Sequence, residues 1–247
     1  MMGIGYLWQN DIIRFQKCYA EARKHFPTAP GFHLLLSLQF LKESNYASAY
    51  YELSLEKEKR LANTFFFEST LIELENQFKA AFKKKPGEPW LYSTHLFIQG
   101  KQMWEAGKTK EALRLVEQSI QDRDIHPLQY LYLARILKSL GRSDEALSYY
   151  GMALEKLGNL SRALAESAEI YLERGDLQAG QSLWEKAVST DPAVAKFSGV
   201  GNRLHTINPS LFFPMPDLLS GQSASSSIQP EINQIVITQF TALLSRI

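Results

Sequence analysis

Three glycines, Gly107, Gly141 and Gly175, stand 34 residues apart, and the same side-chain rhythm comes after each of them. Five residues on comes a small residue: Ala112, Ala146 or Gly180. Four further on comes a larger one (Val116, Tyr150, Trp184), and three further again a small one (Ser119, Ala153, Ala187). Steps of four and three place these side chains on one face of an α-helix. The small members let a neighbouring helix come close, and the large member fills the gap between the backbones.

The segment before each glycine carries its own stripe at the same steps. It reads Leu96, Gly100, Met103, then Tyr130, Ala134, Leu137, then Leu164, Ala168, Tyr171. A glycine between two such helices stops the first and tolerates positive φ in the turn. Ser143, Asp144 and Asp176 supply start signals for the second helix, and Pro192 closes the last pair. Each unit is thus two antiparallel helices and a short turn. One such pair cannot bury its faces alone, but a stack can.

The stretches GKTKEALRLVEQSI, GRSDEALSYYGMAL and GDLQAGQSLWEKAVSTDP resemble the tetratricopeptide repeat family, most clearly over residues 93–192. The family's favoured Trp is missing from every first helix. Gly180 stands where Ala is usual, and Asp124 and Gly158 stand where Pro often ends a unit. The resemblance implies an all-α fold: a right-handed α-solenoid of antiparallel helix pairs, about six pairs with the weaker ones counted.

Residues 91–192 hold the three clear repeats. Residues 6–90 are expected to be divergent repeats of the same solenoid, with a separate helical domain as the alternative. There FHLLLSLQFLKES and NYASAYYELSLEKEK make a first and a second helix, the latter through Ala49 and Leu53. LIELENQFKAAFKKKP and IIRFQKCYAEARKHFP each look like a further second helix. Residues 193–229 form an irregular Pro-, Gly- and Ser-rich segment. Within it FFPMPDLL (Phe212–Leu219) is apolar and proline-broken, hence extended. Residues 230–247 form a C-terminal amphipathic helix opened by Pro230, with Ile232, Ile235, Val236, Phe240, Leu243 and Leu244 along one stripe. That stripe either caps the solenoid or docks on a partner.

Composition narrows the function. A net charge of +1 gives no broad attraction to nucleic acid or acidic membranes. Cys18 is the single cysteine, so an intrachain disulfide and a cysteine-based zinc site are both excluded. A reducing, cytoplasmic setting is expected. The opening MMGIGYLWQNDIIRF does not read as a signal peptide. His25, His33, His95, His126 and His205 make no metal-binding spacing, and His95 is expected to be a half-buried packing residue. There is no Walker loop, GxGxxG or GxSxG. Carboxylate pairs such as Glu105/Glu111 and Glu166/Glu169 read as solvated helix faces. Lys83, Lys84 and Lys85 offset the negative end of a helix. No cofactor, no metal and no catalytic residue is expected, so the chain is read as a non-enzyme.

In the family it resembles, first helices line a concave groove. The residues expected there are Phe97, Lys101 and Trp104, then Leu128, Leu131, Arg135 and Lys138, then Arg162, Ala165, Glu169 and Glu173. Such a groove is basic and aromatic at one end and acidic at the other, suited to an extended peptide or a partner helix. Chaperone-binding members of the family clamp a C-terminal carboxylate with Lys and Asn; no Asn stands at these places here, so a carboxylate clamp is not expected. The expected role is a non-catalytic protein-interaction adaptor or scaffold subunit within a multi-subunit complex. The alternatives are a soluble chaperone-like carrier of a client peptide, or a non-catalytic regulatory fragment of a larger enzyme.

Overall fold

The computed structural model describes residues 6–7, 9, 11–25, 31–59, 64–84, 88–121 and 125–191, with Val194, Val200 and Leu204 beyond them. Regular structure among these residues is helical throughout. In chain order the helices are α1 (Ile12–His25), α2 (Phe32–Lys42), α3 (Tyr46–Lys59), α4 (Thr64–Lys84) and α5 (Pro89–Glu105). Then come α6 (Thr109–Ser119), α7 (Pro127–Ser139), α8 (Ser143–Lys156), α9 (Ser161–Glu173) and α10 (Leu177–Thr190). They fall in two compact units, divided between Ala81 and Phe82.

In the second unit α5 pairs with α6, α7 with α8 and α9 with α10, while α6 packs on α7 and α8 on α9. Three hairpins therefore stack in sequence order, the α-solenoid arrangement that the 34-residue period requires. The buried residues of α6 are Ala112, Val116 and Ser119; of α8, Ala146, Tyr150 and Ala153; of α10, Gly180, Trp184 and Ala187. These are the nine stripe residues. Burying a side chain the size of Tyr150 or Trp184 contributes about 1.5–3 kcal/mol, more than the roughly 1 kcal/mol of a helix cap. The large member of each stripe thus decides where the helices meet.

The small members decide how closely they meet. A Cβ built on Gly100 would lie 2.6 Å from Val116 Cγ2, and one on Gly180 would lie 2.6 Å from Leu172 Cδ2. Both glycines sit where the helices of one hairpin cross. At the third hairpin the Leu172 side chain occupies the space that the missing Cβ of Gly180 leaves, so alanine there would have to displace it.

All three turns are built alike. Gly107, Gly141 and Gly175 adopt φ of 77°, 75° and 81°. The Gly107 N–H donates to Trp104 O and the Lys108 N–H to Met103 O; the same bonds recur at Lys138/Gly141 with Leu137/Arg142, and at Leu172/Gly175 with Tyr171/Asp176. This is the Schellman pattern, which satisfies the last carbonyls of the first helix. Asp176 then caps α10 by accepting from the Ala179 N–H at 3.1 Å.

A buried polar node ties the first hairpin to the second. The Gln129 Nε2 amide donates to Ser119 O at 3.0 Å and Ser119 Oγ at 3.2 Å, and reaches Ser93 Oγ at 3.3 Å. The Ser93 hydroxyl donates to Ser119 O at 2.6 Å. On its other side Gln129 Oε1 accepts from the His126 N–H at 2.8 Å, completing a capping box at the start of α7. One glutamine thereby starts α7 and holds it on the end of α6.

In the first unit α2 and α3 form the expected hairpin, with α1 packed on α2. Its turn is again of the Schellman type, with Ser44 at φ 57° in the glycine position: the Ser44 N–H donates to Leu41 O and the Asn45 N–H to Phe40 O. Asn45 Oδ1 caps α3 through the Ser48 N–H at 3.1 Å. Where Gly100 stands in the first clear repeat, this hairpin has Ser37, whose hydroxyl donates to Ala49 O at 2.7 Å. His33 Nδ1 lies 2.7 Å from the Glu52 carboxylate, and Glu56 accepts from the Gly31 N–H at 2.7 Å. The stretch expected as a second helix from Leu71 belongs to a longer helix, α4, which begins at Thr64.

The core continues past the repeat pattern. Val194, Val200 and Leu204 are buried in one cluster with Leu164, Ala165, Ala168, Leu172, Trp184 and Ala187. Among the described residues no further helix pair stacks on α10, and Val194, Val200 and Leu204 pack against the last hairpin instead.

Candidate functional site

The first helices α5, α7 and α9 carry the residues expected to line a groove, and Tyr132 of α7 stands at their centre. The ring of Phe97 meets it edge to face with centroids 5.6 Å apart, and that of Trp104 does so at 5.7 Å. The Arg135 guanidinium lies 5.4 Å from the Tyr132 centroid. Edge-to-face rings and a cation over a ring face are both favourable arrangements of the aromatic quadrupole. Tyr132 thus joins α5 to α7 as an aromatic hub.

Charge joins α7 to α9. Arg135 donates through Nε and Nη2 to the Glu166 carboxylate, the Nη2–Oε1 distance being 2.8 Å. The Tyr150 hydroxyl donates to Glu166 Oε2 at 2.8 Å. Burial, reinforced by the neighbouring Glu166 carboxylate, pushes the Tyr150 phenol far above its ordinary value of 10.0. Lys138 pairs with Glu169. Both ion pairs span 31 residues, three short of the repeat, so each cation meets the carboxylate nearly one turn before its own equivalent. Arg135 is largely buried and Glu166 partly so, and a forked, partly desolvated pair of this kind holds its geometry better than an exposed one.

The other candidates differ widely in exposure. Phe97 and Leu131 are fully buried, as are Leu128 and Ala165. The Lys101 side chain is 8% exposed, with Nζ 3.8 Å from the Glu105 carboxylate. Trp104 and Arg162 are half-buried, and Glu173 is exposed at the end of α9. Arg135, Lys138 and Glu169 come together with Glu166 in the paired ladder. The charges expected to steer a ligand are therefore in large part neutralised within the chain. Ile232, Ile235, Val236, Phe240, Leu243 and Leu244 lie outside the described residues.

Two residues matter more here than their sequence context suggests. Glu166, read as part of a solvated face, accepts from both Arg135 and Tyr150. Tyr132 is one member of an apolar run and carries no distinguishing spacing. The repeated 31-residue separation of opposite charges, Arg135 to Glu166 and Lys138 to Glu169, is the signal that could have found the ladder. His95 is half-buried as expected, stacked on Phe82 at 4.3 Å.

Among the described residues no group of three or more His, Cys, Asp or Glu side chains is placed to hold a metal ion. None of their helices is long and apolar enough to cross a membrane.

The hairpins, their Schellman turns and their small–large–small stripes define a helical-repeat protein of degenerate tetratricopeptide-like units. No protein-family model matches the sequence, and no curated protein matches it either. Among solved structures, the chain is similar to crystal structures of MamA. One has a TM-score of 0.40 at 14% identity, covering 79% of this chain and 98% of that one. A second has a TM-score of 0.39 at 14% identity, covering 79% and 91%. It is also similar to the C-terminal part of a TPR repeat-containing protein from Cytophaga hutchinsonii, with a TM-score of 0.41 at 12% identity over 98% of this chain and 93% of that one.

Proposed function

We propose that the chain is a non-catalytic protein-interaction adaptor or scaffold subunit that holds a segment of a partner protein on the face formed by α5, α7 and α9. The observation that carries this reading is the bracing of the three first helices. The Tyr132 hub links α5 to α7, and the Arg135–Glu166 and Lys138–Glu169 pairs link α7 to α9. A face held in one geometry loses little freedom on binding. Trp104, half-buried at its edge, is an aromatic anchor of the kind that dominates binding energy.

The test is affinity capture from native lysate with the full chain, its Trp104→Ala variant and its Arg135→Glu variant, each first checked for native helix content. A scaffold subunit retains its partner at fixed stoichiometry, and both variants lose it. A carrier instead binds short peptides reversibly. If both variants retain every partner, the face is not the binding site.

A further inference from the structure

The chain as a whole is close to neutral, but α1 is not. It carries Arg14, Lys17, Arg23 and Lys24 against the single carboxylate of Glu21, a net +3 with histidine neutral, in a chain whose total is +1. The rest of the chain is therefore net −2, and the positive charge is concentrated on one helix.

The inner face of α1 belongs to the fold: Phe15 is buried, and the helix packs on α2. The outer face stays in water. Ile13, Lys17, Ala20 and Lys24 follow one another along it at steps of four, three and four, and all four are exposed, Ile13 by 70%. Arg14 pairs with Asp11 at 3.4 Å and Glu21 with His25 at 2.9 Å. The nearby carboxylates are thus taken, and Lys17, Arg23 and Lys24 make no ion pair among the described residues.

Cations in a last turn offset the negative end of a helix, which accounts for Arg23 and Lys24. It does not account for Lys17 in the middle of α1, or for a large apolar side chain held in water in line with it. Lysines in line with an exposed isoleucine match a surface that is anionic outside and apolar just beneath. The shape agrees. Nine of the fourteen residues of α1 are exposed, so the helix stands out as a convex ridge. A ridge meets a flat layer of lipid headgroups along its length, whereas a peptide is held in a groove or at a sheet edge.

We propose that α1 is a peripheral membrane contact: its outer face lies on an anionic lipid surface, held by Lys17, Arg23 and Lys24, with Ile13 entering the headgroup boundary. The contact needs no membrane-spanning helix and is separate from the face formed by α5, α7 and α9. Each cation close to an anionic bilayer strengthens binding about fivefold, so three give a preference over neutral lipid on the order of a hundredfold.

The test is vesicle flotation with the purified full chain at about 0.1 M salt. Vesicles of phosphatidylcholine with about 30% phosphatidylserine should carry the chain upward, and vesicles of phosphatidylcholine alone should not. Lys17→Gln/Lys24→Gln, at matching helix content, should bind the anionic vesicles about twentyfold more weakly. Lys83→Gln/Lys84→Gln, which removes two exposed lysines from the end of α4, should bind like the wild type. No flotation with anionic vesicles, equal flotation with neutral ones, an unchanged first variant or a weakened second one each overturns the proposal. Soluble poly-glutamate or a DNA duplex binding the chain more tightly than the vesicles would assign α1 to an acidic protein or to nucleic acid, and overturns it too. No partner protein enters the experiment, so its failure leaves the adaptor reading standing.

Discussion

Ser44 stands in the α2–α3 turn where Gly107 stands in the α5–α6 turn: both close a Schellman motif, at φ 57° and 77°. A side chain at this backbone conformation costs about 1–2 kcal/mol, offset in part by the lower entropy that serine has in the unfolded chain. Replacing Ser44→Gly should stabilise the first unit by about 0.5–1 kcal/mol. Gly141→Ala, with open space around its Cβ, should cost about 1 kcal/mol through conformation alone. Urea unfolding of both variants checks the pair; a destabilised Ser44→Gly would mean that the hydroxyl does more than tolerate the turn.

Gly100→Ala forces its Cβ onto Val116, 2.6 Å from Cγ2 and 3.2 Å from the backbone nitrogen. Overpacking of this kind costs about 1–3 kcal/mol. Adding Val116→Ala relieves the side-chain part of the clash, so the double variant should lose less than the sum of the two single losses. Strict additivity in denaturant unfolding would place the strain elsewhere.

Gln129→Leu removes a donor to Ser119 and Ser93 and an acceptor from the His126 N–H in one step. Leaving buried polar groups without partners costs about 1–3 kcal/mol, and loss of the cap adds about 1 kcal/mol. Hydrogen exchange should speed up in the first turn of α7 and the last turn of α6 before it does in α9. A uniform change across all three hairpins would contradict the node's local role.

The Tyr150 phenol is raised by burial and by Glu166, so folding favours its neutral form. Its contribution is complete below pH 10 and is lost as pH climbs above it, because the unfolded phenol ionises while the folded one does not. Between pH 8 and 11 the wild type should therefore lose about 1.4 kcal/mol relative to Tyr150→Phe, most of it above pH 10. Unfolding curves at pH 8, 10 and 11 give the comparison, and absorbance at 295 nm should show Tyr150 ionising only on unfolding. Parallel pH profiles for the two proteins would refute the buried neutral phenol.

Arg135→Ala, Glu166→Ala and the double variant form a cycle. Because Arg135 is largely buried and Glu166 only partly exposed, their coupling should reach about 1–2 kcal/mol, above the value for surface pairs. A coupling near zero would mean that the ladder contributes nothing to the bracing of α7 against α9.

The sequence by itself determined the hairpins of residues 89–191, their glycine turns and the nine buried stripe residues. Each of these is a matter of local spacing: steps of three and four settle which face of a helix is buried, and a glycine settles where it ends. The α2–α3 hairpin was fainter because Ser44 stands where the later repeats have Gly, and Ser37 where they have Gly or Ala; both are held by hydrogen bonds or backbone geometry that no spacing records. The tertiary structure alone decided that Glu166 pairs with Arg135 and Tyr150, that Tyr132 centres the aromatic contacts, and that Val200 and Leu204 extend the core. Those outcomes depend on the register between helices some thirty residues apart. That register is settled by how whole side-chain volumes nest in three dimensions, such as Leu172 filling the space that Gly180 leaves open.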